Sequence, residues 1–282
     1  MLYLSSFTFP TMATQEGFIM DEKHTCYDNF YPFKVLDVGR LEFEPITILY
    51  GNNGSGKTTA LNVMAETLGL QRDSLYNRSN FFEEYIRRCD YNLDHGIPDG
   101  SAVITSDDVF DFMFTLRSVN EDIDAKRDEL MEDYTSTKYS KFKLQSLEDY
   151  EQLKKVNLSR RMSKSRYVRE SLMDNVSVHS NGESAFKYFV NKIGENGLYL
   201  LDEPENSLSP TKQMELIKYI EDSARFFGCQ FVIATHSPFL LSIDGAKIYD
   251  LDVKPPVVKK WTDLENVRTY YRFFKERENL FE

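Results

Sequence analysis

The run Ile46-Thr47-Ile48-Leu49-Tyr50 passes directly into Gly51-Asn52-Asn53-Gly54-Ser55-Gly56-Lys57-Thr58-Thr59, and no other feature constrains the chain as much. Residues 51–58 satisfy the GxxxxGK[ST] pattern of a phosphate-binding loop. Its glycines let the backbone wrap so that successive N–H groups converge on a phosphate, and the positive end of a following helix adds to the attraction. Leu61, Met64 and Leu68 recur at helical spacing before Gly69, which predicts that helix. By average composition the pattern arises by chance in roughly one chain in a hundred of this length. A strand before it and a helix after it are the context that separates a phosphate site from a merely flexible glycine turn. In such a site Lys57 reaches the β- and γ-phosphates, and the Thr58 hydroxyl is placed to ligate Mg²⁺.

Two later apolar runs, Leu198 to Leu201 and Phe231 to Ala234, are too short for helices and read as strands buried on both faces. Residues 213–227 between them read as an amphipathic helix, so the strands are expected to be parallel and joined by a crossover. Residues 1–50 read as short β segments (LYLSSFTF, FKVL, LEFE, ITILY) punctuated by Pro10, Pro32, Gly39 and Pro45. The expected fold class is therefore α/β.

Three further segments carry chemistry. The strand at Leu198 ends in Asp202-Glu203-Pro204, the form of a Walker B segment: Asp202 would hold Mg²⁺, and Glu203, aimed differently, would polarise an attacking water. Ser180-Asn181-Gly182-Glu183 stands 22 residues before Asp202 at a helix start, where a hydroxyl and a glycine N–H make an anion site. Taken alone, Ser-x-Gly-Glu is more often an ordinary capping turn. His236 follows the strand FVIAT, 34 residues after Asp202, where a γ-phosphate could lie; a lone histidine after a strand is more often structural.

The balance of 34 Lys+Arg against 45 Asp+Glu, net −11 over 282 residues, opposes non-specific attraction to phosphate backbones, so any nucleic-acid contact needs a local basic patch. One candidate exists. Residues 115–175 contain no glycine or proline and read as a small helical insert within a single 1–282 domain. Its first half is acidic, with seven carboxylates from Glu121 to Asp133. Its second half, 138–169, carries Lys138, Lys141, Lys143, Lys154, Lys155, Arg160, Arg161, Lys164, Arg166 and Arg169. The plainer reading is two solvated helices whose charges face each other; the sharper one is a partner or DNA surface around Arg160 to Arg169. Three cysteines (Cys26, Cys89, Cys229) without a CxxC pair give neither a disulfide framework nor a zinc site. No stretch approaches 18 apolar residues and the N-terminus lacks a signal-peptide pattern, so a soluble, cytoplasmic protein without direct membrane insertion is expected.

Taken together, the order of P-loop, Ser-x-Gly-Glu, LLDEP and histidine resembles the ATP-binding-cassette (ABC) class of P-loop ATPases. YGNNGSGKTT, LLDEPENSLSP and ATHSPFLL are most similar to its non-transporter branch, which includes SMC/RecF-like heads and small bacterial AAA-domain ATPases of repair and phage-defence systems. The resemblance is specific in these motifs and their strands, under half of the chain. It implies a mixed sheet with an antiparallel N-terminal β subdomain and the small helical insert. It also implies ATP and Mg²⁺ as cofactors, hydrolysis with Glu203 as base and Lys57 and His236 stabilising transferring charge, and a head-to-tail homodimer formed on ATP binding. Each nucleotide would lie between residues 51–59 of one subunit and Ser180, Gly182 and Glu183 of the other, with Asn206 to Ser209 crossing the interface.

The family's Q-loop glutamine has no clear counterpart; Ser106-Asp107-Asp108 is the best positional candidate. Tyr27, Tyr31 and Phe33 are candidates for stacking on adenine, though each is also an ordinary core residue. The insert is too short for long coiled coils, and 46 residues after His236 leave no room for a nuclease domain, so a separately encoded effector partner is expected. The nucleotide-binding subunit of a transporter is the alternative, and a nucleotide-binding scaffold that rarely hydrolyses is a third reading.

Overall fold

A computed structural model describes residues 1–11, 14, 37–73, 82–138, 154, 161–164, 168 and 181–281. The chain divides into two compact units, Met1–Phe110 with Asn181–Glu282, and Asp111–Ser180.

The first unit is built on a six-stranded sheet. Its strands are β3 (Ile46–Tyr50), β5 (Ala102–Thr105), β6 (Leu198–Asp202), β7 (Gln230–Thr235), β8 (Lys247–Asp250) and β9 (Val257–Val258), in the order β5-β6-β7-β3-β8-β9. All neighbours are parallel except β8 and β9. Every residue of β3 and β7 is buried, as expected of parallel strands covered on both faces. A three-stranded antiparallel sheet, β2-β1-β4, stands beside it, made of β1 (Leu4–Thr8), β2 (Arg40–Glu42) and β4 (Asp90–Leu93). Gln230, fully buried at the start of β7, joins the two sheets. Its Oε1 accepts from the N–H groups of Tyr3 (2.8 Å) and Leu4 (2.9 Å), and its Nε2 donates to the Leu4 carbonyl (2.8 Å).

The expected antiparallel N-terminal subdomain is present, with one addition from further along the chain. β4 is exposed at all four positions and contains Asp90 and Asn92, poor strand formers; pairing with β1 imposes its extended form. The segment FKVL lies outside the described residues.

Helix α1 (Lys57–Leu68) follows β3 and buries Ala60, Leu61, Val63, Met64 and Ala65. It ends at Gly69 (φ 65°), whose left-handed backbone lets Leu70 N donate to Ala65 O, closing a Schellman-type turn. A short helix, α2 (Phe82–Ile86), precedes β4. Helix α3 (Ser106–Lys138) springs directly from β5. Ser106-Asp107-Asp108, the best positional candidate for a Q-loop, is thus the first turn of this helix. Asp108 is spent in its cap: Oδ2 accepts from Thr105 N (2.7 Å) and Oγ1 (2.8 Å), and Asp108 N returns a bond to Thr105 Oγ1 (3.2 Å).

The crossover from β6 to β7 is helix α5 (Pro210–Phe226), opened by Ser209 as N-cap and Pro210 at its first position. Helix α4 (Asn181–Lys192) precedes β6, and helix α6 (Glu265–Lys275) follows β9. In the second unit, Asp111–Ser180, the Tyr134 hydroxyl donates to the Met162 carbonyl (2.8 Å). Of the basic half of the insert, only Lys138, Lys154, Arg161 and Lys164 lie among the described residues.

Candidate functional site

Three strand ends meet where the motifs lie. β3, β7 and β6 are neighbours in one parallel register, so the loop after Tyr50, the turn after Thr235 and the carboxylates after Leu201 emerge on the same edge. In open parallel sheets ligands collect at this carboxyl edge.

The glycine loop has the backbone its sequence predicts. Gly54 (φ 84°) and Gly56 (φ 93°) occupy the left-handed region that side chains avoid. A Cβ on Gly51 would fall 2.3 Å from Ser55 Oγ, so that position has no room for a side chain. Helix α1 starts at Gly56 without a side-chain cap, which leaves its first N–H groups for an anion, whereas Ser209 caps α5. The loop is anchored by a residue that sequence reading missed. Asp252, just beyond β8, accepts from Asn52 N (2.9 Å) and from Asn52 Nδ2 (2.9 Å). Nothing local marks it, because the contact exists only through the pairing of β8 with β3.

Lys57 is buried, and its Nζ donates to Gly51 O (2.7 Å) and Asn52 O (3.2 Å) while lying 3.7 Å from Glu203 Oε1. Thr58 Oγ1 donates to Asp202 Oδ1 at 3.0 Å. Two residues 144 apart in sequence thus present oxygen atoms to one point, the hard donor set that suits Mg²⁺. Burial pushes the Asp202 carboxyl up to about 6, against the opposing effect of the Thr58 hydroxyl. A carboxylate short of solvation gains from a cation beside it, and the buried Ser55 Oγ has no hydrogen-bond partner among the described residues. Both observations fit a bound nucleotide and metal.

Glu203 has φ 46° and ψ 52°, a left-handed conformation unusual for a residue with a side chain and of the order of 1–2 kcal/mol unfavourable. The turn brings the Glu203 carboxylate between Lys57 and His236, with Nδ1 of His236 3.7 Å from Oε1 and Asn206 Nδ2 donating to Oε2 at 3.0 Å. Glu205, three residues beyond Asp202, was not singled out from sequence. It is buried, and its Oε1 accepts from Thr235 Oγ1 (2.6 Å), His236 N (3.0 Å) and Ser237 N (3.2 Å).

The structure therefore brings residues 51–59, Asp202, Glu203 and His236 together. Gly182 and Glu183 lie in the first turn of α4, where a Cβ on Gly182 would stand 3.7 Å from Lys212 Cγ of α5. Ser180, Tyr27, Tyr31 and Phe33 lie outside the described residues.

A family described as the AAA ATPase domain matches residues 181–241, the span holding Gly182, Glu183, Asp202, Glu203 and His236. The matched span carries α4, β6, α5 and β7. No curated protein matches the chain.

Solved structures similar to this chain include the SMC head domain of Pyrococcus furiosus, with an extended coiled coil and bound to the C-terminal domain of ScpA. It is 13% identical with a TM-score of 0.45, covering 99% of this chain and 100% of that one. The SMC head domain from Thermotoga maritima is 13% identical with a TM-score of 0.36, covering 75% and 88%. The ATP-binding cassette MJ0796, in a dimeric post-hydrolysis state with ADP and Pi, is 11% identical with a TM-score of 0.35, covering 81% and 92%.

Proposed function

We propose that the protein is a Mg²⁺-dependent ATP hydrolase whose ATP-bound state is a head-to-tail dimer, acting as a switch for a separately encoded partner in DNA maintenance or phage defence. The observation that carries the hydrolytic reading is the meeting of Lys57 and Thr58 with Asp202, Glu203 and His236 at one sheet edge. Thr58 and Asp202 would hold the metal, which when bound supplies charge neutralisation and orientation of the phosphates. Lys57 would exchange its contacts with the Gly51 and Asn52 carbonyls for phosphate oxygens. Glu203 would accept the proton of the attacking water, its carboxylate held in place by Asn206. His236 would stabilise charge on the transferring group.

The dimer and the role it serves rest on the motif order and on the charged insert. Ser180, Gly182 and Glu183 of one subunit would close the other's site. Glu203→Gln keeps the shape and removes the base, so ATP should bind and persist. Sedimentation with ATP and Mg²⁺ should then show a stable dimer that is monomeric without nucleotide. Adding Ser180→Arg should return it to monomer while each subunit still binds ATP. A Glu203→Gln protein that stays monomeric with ATP bound, or a double mutant that remains dimeric, overturns the composite site.

A further inference from the structure

We infer that Glu205 is a positioning residue for His236, fixing the turn that carries it; this rests on the hydrolytic reading above. The His236 backbone is held on both sides. Its N–H donates to Glu205 Oε1 (3.0 Å) and its carbonyl accepts from Asn266 Nδ2 of α6 (2.6 Å). The same Glu205 oxygen takes the Thr235 hydroxyl (2.6 Å) and Ser237 N–H (3.2 Å), so one atom gathers three consecutive residues. Ser237 Oγ donates to Gln213 Oε1 (2.6 Å), and Gln213 Nε2 donates to Leu208 O (3.0 Å), tying this turn to the segment that follows Glu203.

The imidazole itself is not clamped. Its Nδ1 lies 3.5 Å from Glu205 Oε1 and 3.7 Å from Glu203 Oε1, beyond good hydrogen-bond length, and has no hydrogen-bond partner among the described residues. Glu205 Oε2 is likewise buried without one. What the carboxylate oxygen provides is one acceptor on which three donors converge, with the ring left to meet the reacting phosphate.

The test compares Glu205→Gln, which keeps an acceptor oxygen, with Glu205→Ala and with Glu205→Asp, which withdraws the oxygen by one methylene. Side-chain ¹⁵N–¹H spectra of the nucleotide-free protein report His236 directly, its signal assigned among the four histidines by its loss in His236→Ala. Ala and Asp should shift or broaden that signal, and Gln should leave it near its parent position. In turnover, Ala and Asp should lower kcat about tenfold or more with ATP affinity unchanged, and Gln should stay within about threefold. In a His236→Ala background, Glu205→Ala should add no further loss.

An unmoved His236 signal in both Ala and Asp, or an equal loss of rate with and without His236, overturns the inference. If Glu205→Ala does not fold, the Asp variant makes the same decision. A parent protein without ATPase activity would sink the hydrolytic reading, and the His236 signal alone would then decide the role of Glu205.

Discussion

Lys57 shows how the loop keeps its own charge satisfied. Its ammonium group is buried and bonded to the carbonyls of Gly51 and Asn52, so the loop holds its shape around a cation that phosphate would otherwise meet. Lys57→Ala should weaken ATP binding by roughly 10- to 100-fold, the worth of one or two charged hydrogen bonds, with the fold retained. Titration calorimetry checks the affinity, and an unchanged value would refute the assignment of residues 51–58. The cysteines behave differently: burial pushes the Cys89 thiol up to about 12 and raises that of Cys229. Neither should react with a thiol reagent at pH 8 until the protein is unfolded in denaturant, because the thiolate is the reactive form. Mass spectrometry of labelled peptides reads this directly. Early labelling of Cys89 would mean that its pocket opens in the native state.

Among the elements, β7 meets the start of β1 through the Gln230 amide. Gln230 satisfies two N–H groups and one carbonyl at the start of β1, all in a buried setting that water does not reach. Gln230→Ala leaves them unpaired and opens a cavity, and should cost about 2–4 kcal/mol in denaturant unfolding. The three-stranded sheet should loosen first, seen as faster amide exchange at Leu4 to Thr8 than at Ile46 to Tyr50. Equal exchange in the two strands would show that the small sheet is held by its apolar contacts alone. Phe7, Phe9 and Leu41 are the residues that would then carry it, all buried in the core shared with α1.

At the scale of the whole molecule, the net charge of −11 means that DNA would have to find the basic run of the insert. Reversing Arg160, Arg161 and Arg166 together should weaken DNA retention and flatten its dependence on salt, since each neutralised phosphate releases counterions. A parent protein that retains no DNA at low salt removes DNA from the proposed role.

The motifs and the elements that bear them were legible in the chain itself because they are local. GNNGSGKTT, LLDEP and a histidine after FVIAT are contiguous patterns, and the strands and helices that bear them follow from short apolar runs and helical spacing. What the sequence could not order was anything made by distant partners. β4 has no strand signal of its own, Asp252 supports the glycine loop only because β8 lies beside β3, and Glu205 and Asn266 meet His236 from opposite sides. Periodicity reports how a segment buries its own side chains. It is silent on which carboxylate or amide from another element completes a turn's hydrogen bonds, and that choice is made only when the sheet has assembled.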